Sequence, residues 1–192
     1  MYFSVVLRPE LPPARAPELT LVASVAMCDA LRQAGVDAGI KWPNDVLASG
    51  RKIAGILTEL AAEPDRVHWV VVGVGVNVNA RREDFPEELR AEATSILLER
   101  GQPAPRALFA AACLTGLEEW VDRHAEEGFG VIRDAWRARN VTLGRQVAVR
   151  AGDRDVEGVA EDLDEQGALL VRTRAGIERI TSGDVQLLRA RP

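Results

Sequence analysis

Lys41-Trp42-Pro43-Asn44-Asp45-Val46 is the segment of this chain best suited to chemistry. Pro43 cannot donate to a strand ladder, so a strand that reaches Lys41 has to end there. Asn44 and Asp45 are turn formers with short polar side chains. The string therefore sets an ammonium at a strand end, beside an amide and a carboxylate, where a ligand can reach it. Lys is a compact, flexible point charge, whereas Arg is a planar fork built for bidentate pairing. Of the 24 basic side chains, only Lys41 and Lys52 are Lys. A sequence that uses Arg almost everywhere yet keeps Lys here points to a need for an ammonium. Spacing alone leaves open a solvent-facing lysine retained by chance.

Two further strings share this character. Gly55 lies inside the apolar run Ile53-Ala54-Gly55-Ile56-Leu57, just after Lys52. A strand glycine supplies no packing and marks close approach of a ligand or another backbone. In Val72-Gly73-Val74-Gly75-Val76-Asn77-Val78-Asn79, the period of two puts the valines on one face. Gly73, Gly75, Asn77 and Asn79 then share the other, a flat floor ending in two amides. Tight helix packing would explain the glycines but not the amides. Gly73-x-Gly75 is no dinucleotide fingerprint, because no third Gly and helix start follow it.

The elements that must hold these residues follow from periodicity. Tyr2 to Leu7 reads as a strand. Leu19, Val22, Ala23, Ala26, Ala30, Leu31 and Ala34 predict a helix that Gly35 stops. Gly39 to Trp42 is a short strand. Val46-Leu47 and Ile53 to Leu60 form a hairpin about Ser49-Gly50, and His68 to Val78 is the next strand. Neighbouring antiparallel strands after a helix predict an α+β layer, not alternating β-α-β units. Residues 81–100 read as charged and partly helical, with Ser95 to Leu98 as an apolar anchor. An amphipathic helix follows from about Arg106 to His124, then a shorter one holding Val131, Ile132, Ala135 and Trp136. From Asn140 the period becomes alternating. Five short strands, divided by Gly152, Gly167, Gly176 and Gly183, fit a small barrel and put a domain boundary near Asn140.

Bulk properties exclude several classes. Apolar residues make up 47% of the 192, enough for a core. A net charge of -5 with no basic block argues against nucleic acid as the main partner. No apolar run is long enough for a membrane span, and Met1 to Leu7 has no signal-peptide pattern. Cys28, Cys113, His68 and His124 are isolated, so neither a disulfide framework nor a tightly bound metal site is expected.

Lys41 to Val46, Gly50-Arg51-Lys52-Ile53-Ala54-Gly55-Ile56-Leu57 and Gly73 to Val78 resemble the successive signature blocks of the biotin protein ligases, in order and at similar separations. The tail is similar to that family's C-terminal SH3-like domain at Gly144-Arg145-Gln146-Val147, Gly158-Val159-Ala160, Asp164 to Leu169 and Ser182-Gly183-Asp184-Val185. The likeness covers essentially the whole chain. It implies an α+β fold with a mixed or antiparallel central sheet and helices, as in biotin ligases and class II aminoacyl-tRNA synthetases. A small C-terminal SH3-like β-barrel would follow, with the catalytic domain over 1–140 and the barrel over 141–192.

The resemblance also implies an activity: biotin and ATP, with Mg2+, give biotinyl-5'-adenylate, and the biotinyl group passes to a lysine of a biotin carboxyl carrier protein. Lys41 would meet the biotin carboxylate and then the adenylate phosphate, its ammonium staying protonated. Gly55, Ile56, Gly73 and Gly75 would form the apolar surface under biotin or the adenylate, and Asn77 would bond near the adenine. Asn44 and Asp45 either order the magnesium-bound triphosphate or, for Asp45, fix the turn. Lys52 either approaches the polyphosphate or is a surface lysine of the hairpin, and Arg189 is a candidate nucleotide contact. A cytoplasmic location and a homodimer paired through the central sheet are further implications. The family's Gly-Arg-Gly-Arg-x-Gly-Arg loop, which lies upstream of the strand resembling Tyr2 to Leu7, is not among these residues, nor is a winged-helix DNA-binding domain. Impaired ligation is therefore expected of this stretch alone. A noncatalytic carrier- or partner-binding module is the alternative, and a lipoate-type ligase the third reading.

Overall fold

Tyr2–Leu7 alternates exposed and half-buried side chains, the period of a strand with one face on a core, and forms β1 in the computed structural model, which describes residues 1–188. It joins β2 (Ala38–Lys41), β3 (Asp45–Ala48), β4 (Arg51–Ala62) and β5 (Val67–Val76) in one sheet of order β1-β5-β4-β3-β2. Every neighbouring pair is antiparallel. One face carries the valine wall expected from the sequence: Val70, Val72, Val74 and Val76 are all buried. Helix α1 (Glu18–Gln33) lies against that wall and is itself covered by α3 (Arg106–Glu127) and α4 (Phe129–Arg137). Being covered on two sides explains why α1 is apolar nearly all round, from Leu19 to Leu31. Gly35, at φ +80°, turns the chain out of the helix as anticipated.

Two stretches depart in detail from the sequence reading. The last strand of the sheet ends at Val76 rather than Val78. Beyond it the backbone leaves the ladder: Asn77 N donates to Ile53 O, while Ile96 N and Leu97 N donate to Asn77 O and Val78 O. Residues 81–100 hold two short 3-10 turns, Arg82–Asp84 and Glu87–Leu89, and then α2 (Ile96–Arg100). Ser95 caps α2, its Oγ accepting from Leu98 N at 3.1 Å.

The second sheet is all antiparallel: β6 (Gln146–Ala151), β7 (Arg154–Leu163), β8 (Leu169–Thr173), β9 (Gly176–Ile180) and β10 (Asp184–Leu187), in order β10-β6-β7-β8-β9. Among the described residues no ladder joins β9 to β10, so the sheet is open. The chain reaches it by running beside β2, where Ile40 N donates to Arg139 O at 2.8 Å and Val141 N to Ile40 O at 2.9 Å. No helix among the described residues is long and apolar enough to cross a membrane.

A buried hydrogen-bonded pair joins the start of α1 to the end of α3. Glu18, in the first turn of α1, and His124, in the last turn of α3, share a 2.6 Å hydrogen bond at 2% and 4% exposure. Arg15 forks onto the same carboxylate at 2.8 and 2.9 Å. Burial pushes the Glu18 carboxyl up, but the hydrogen bonds from His124 and Arg15, with the Arg15 charge, outweigh it and hold it below the usual carboxylate range. A depressed folded pKa contributes stability that is present above the unfolded value and is lost as pH falls through the folded one. His124→Ala leaves the carboxylate with Arg15 as its one partner and is expected to cost about 1.5–3 kcal/mol in urea unfolding at neutral pH, the worth of a hydrogen bond to a charged group. The wild type should lose stability on acidification below the ordinary carboxylate range, and Glu18→Gln should lose less.

Candidate active site

Strand register, rather than sequence proximity, assembles the site. Lys41 pairs with Asp45, Asp45 with Gly55, Gly55 with Gly75, and Gly75 with Tyr2. One cross-strand row thus spans all five strands on the face away from the helices. It reads ammonium, carboxylate, glycine, glycine, aromatic ring. The next row is Leu57, Gly73 and Ser4. The expected glycine floor is there, and its glycines have steric reasons. A Cβ on Gly55 would stand 3.0 Å from Lys52 Cε, and one on Gly75 would stand 3.1 Å from the Tyr2 ring. Both side chains lie across the floor because no Cβ lifts them off it.

Lys52 reaches this face through a bulge. Ala54 and Ile56 point into the core while Gly55 and Leu57 face out, so unbroken alternation would bury Lys52. The β3–β4 register shifts at this point, with Val46 opposite Ala54 but Leu47 opposite Lys52. Ile53 is the extra residue and is buried beside Ala54, which turns Lys52 outward over Gly55. Its ammonium faces Asp45 Oδ1, while Lys41 Nζ lies 3.1 Å from Asp45 Oδ2. Asp45 is thus held between the two lysines, with side-chain exposures of 17% for Lys41, 13% for Asp45 and 52% for Lys52. Two cations about one carboxylate leave an excess positive charge in a partly desolvated corner, where an arriving anion feels it strongly.

The rest of the Lys41 block anchors the loop. Trp42 is 1% exposed; its backbone N–H donates to Thr142 Oγ1 at 2.9 Å and its indole Nε1–H to Gly167 O at 3.0 Å. Asn44 Nδ2 donates to Ile56 O at 2.8 Å and Ile56 N donates to Asn44 O at 2.9 Å. The Asn44 amide therefore locks the turn onto β4. The Ile56 side chain sits in the core, so Ile56 borders the floor through its backbone.

A groove of about 1330 Å³ runs from this row to the second sheet, and Lys41, Asp45, Lys52, Gly55, Gly75 and Asn77 all line it. The segment around Asp84, Phe85, Pro86 and Leu89 forms one side, and Arg150, Asp155, Glu157 and Asp184 form the far wall. A shallower depression of about 630 Å³ continues over Asn44, Ile56, Leu57 and Gly73. Lys52, Gly55, Gly75 and Tyr2 border both, so Lys52 stands where the two meet. An elongated ligand with an anionic centre fits such a pair of depressions, with its charge at the junction.

Of the two amides expected on the floor, only Asn77 is free for a ligand: its side chain forms no hydrogen bond among the described residues. Asn79 is a correction. Its amide pairs with the backbone of Ala104, donating to O at 3.0 Å and accepting from N at 2.9 Å, because the strand has already ended. Arg189 lies outside the described residues. Tyr2 and the Ser49–Arg51–Thr94–Glu99 cluster beside Lys52 were missed; Tyr2 carried a signal as an aromatic in register with a strand glycine. Burial pushes the Cys28 thiol up to about 11 and the Cys113 thiol to about 12, which removes both as nucleophiles. Among the described residues no three His, Cys, Asp or Glu side chains converge as a metal site would require.

Comparison with known proteins matches residues 1–77 to the biotin/lipoate A/B protein ligase family and residues 142–188 to the biotin protein ligase C terminal domain. The chain is 36% identical over 186 residues to a biotin--[acetyl-CoA-carboxylase] ligase of Paracoccus denitrificans, covering 95% of this chain and 78% of that protein. It is 38% identical over 188 residues to the bifunctional ligase/repressor BirA of Bacillus subtilis, covering 97% of this chain but 58% of the relative. The chain thus spans little more than half the length of that relative. Among solved structures, the biotin protein ligase of Aquifex aeolicus in complex with biotin and ATP superposes with a TM-score of 0.84 at 29% identity, covering 98% of this chain and 78% of that one. Its apo form gives 0.86.

Proposed function

The chain belongs to the biotin protein ligase family, and we propose that it activates biotin with ATP and transfers it to a lysine of a biotin carboxyl carrier protein. The observation that carries this reading is the row Lys41–Asp45–Gly55–Gly75–Tyr2, with Lys52 turned onto its glycine floor. In the first step a biotin carboxylate oxygen attacks the α-phosphorus of ATP and the bond to pyrophosphate breaks. Two anions must meet, so the protein's task is neutralisation and alignment. Lys52, the more exposed ammonium and the one at the junction of the depressions, meets the carboxylate and α-phosphate. Lys41 adds its charge from the end of the row and, through Asp45, fixes where Lys52 stands.

The glycine floor, Gly55, Gly73 and Gly75, takes the flat ligand, and the Asn77 amide bonds the nucleotide end. Both Asp45 oxygens face ammonium groups, and the Asn44 amide nitrogen is spent on Ile56. The Asp45 carboxylate is thus committed to the lysines, and magnesium enters as part of the MgATP substrate, carried by phosphate oxygens. In the second step the carrier lysine's neutral amine attacks the biotinyl carbonyl, AMP leaves with the bonding electrons, the nitrogen gives up a proton to solvent, and an amide forms. The same reading takes residues 1–140 as the catalytic unit and 141–192 as an SH3-like barrel, places the protein in the cytoplasm and lets it pair through the central sheet. The test is incubation with biotin, MgATP and an unmodified carrier domain. The carrier should gain one biotinyl group by mass spectrometry, and a carrier left unmodified while ATP is bound would point to a binding module.

A further inference from the structure

We infer that Glu99 is a positioning residue for Lys52. β5 stops supporting this end of β4: its last paired residue there is Ala54, and beyond it Asn77 N reaches only Ile53 O. Packing does not replace the lost ladder. The hairpin tip, Ser49 and Gly50, is exposed with φ of 51° and 74°. Backbone from a different segment does: Lys52 N donates to Glu92 O at 2.7 Å and Thr94 N donates to Lys52 O at 2.9 Å. Both main-chain groups of Lys52 are thus held by residues 92–94.

Glu99 ties that segment to the tip. Its carboxylate, 12% exposed, accepts from Ser49 Oγ at 2.8 Å, from Arg51 Nη2 at 2.8 Å and from Thr94 Oγ1. Ser49 and Arg51 flank the tip immediately before Lys52, and Thr94 is the fully buried residue that brackets it. Burial raises the Glu99 carboxyl, but the hydrogen bonds of Thr94 and Ser49 and the Arg51 charge prevail and keep it ionised below the usual range. A charged hub with three donors from both sides fixes geometry as well as stability. The direction in which the bulge aims Lys52 therefore depends on a residue whose carboxylate belongs to neither depression.

The kinetic part of the test rests on the ligase reading; the exchange part does not. Glu99→Gln keeps the shape and removes the charge. In hydrogen exchange, the Lys52 and Thr94 amides should exchange at least about 10-fold faster in the variant, while the Val72 and Val74 amides of β5 keep their wild-type rates. Adenylate formation should show kcat down about 10- to 100-fold, with KM for biotin within about 2-fold. Unchanged exchange at Lys52 would overturn the inference, as would faster exchange with unchanged kcat. If Glu99→Gln proves too unstable, Ser49→Ala removes one donor and should give the same pattern at smaller amplitude. A wild-type protein that forms no adenylate would defeat the ligase reading, and the exchange arm would still decide on Glu99.

Discussion

Lys52→Gln should lower the rate of biotinyl-adenylate formation about 10²- to 10³-fold, the usual consequence of deleting a preorganised group at a developing charge. Urea unfolding should move by less than about 0.5 kcal/mol, because the side chain is half exposed and covers no core. Lys41→Gln should lower the rate too, but by a smaller factor. Removing Lys41 leaves Asp45 with one cation, and Lys52 is then drawn more tightly to the carboxylate and away from the ligand. Because the two lysines act through one Asp45, the double variant should lose less than the product of the single effects. Single-turnover assays of adenylate formation measure all three. Equal activity in Lys52→Gln and the wild type would remove Lys52 from the reaction.

Trp42→Ala should cost about 3–5 kcal/mol, the range for emptying a fully buried Trp site. Trp42→Phe keeps most of the volume and removes one N–H, leaving the Gly167 carbonyl without its donor, so it should cost about 1–3 kcal/mol. The indole bonds across 125 residues to the turn between β7 and β8, and its backbone bonds Thr142 beside β2. Loss of Trp42 therefore loosens the second sheet and the strand carrying Lys41 together. Urea denaturation followed by circular dichroism checks the cost. The Trp42→Phe protein should also lose adenylation rate at saturating biotin and ATP, since the Lys41–Asp45 turn is no longer pinned from both sides.

Much of this was legible in the sequence, and the parts that were not share a physical cause. Pro43 announced that Lys41 ends a strand, and the period of two placed Gly73 and Gly75 on one face with the valines on the other. Those are local rules. Lys52 was ambiguous because parity counting assumes an unbroken ladder, and the register shift at Ile53 reverses the face of everything before it. Asn44 and Asn79 looked available because an amide's partner cannot be read from its neighbours. Their partners, Ile56 and Ala104, sit on other segments. The same blindness to distance hid the Trp42–Gly167 bond and the Glu99 hub. Lys41 and Lys52 meet at one carboxylate, and the leading role is proposed for Lys52 because its ammonium is the more exposed of the two.

The central claim, that Lys41 and Lys52 over the glycine floor form a site for a biotinyl adenylate, is tested most directly by calorimetric titration with a nonhydrolysable biotinyl-5'-adenylate analogue. The wild-type protein should bind one equivalent, and Lys41→Gln and Lys52→Gln should each weaken it about 10- to 100-fold, the worth of one or two hydrogen bonds to a charged group. No binding by the folded wild type, or wild-type affinity in both variants, would contradict the account.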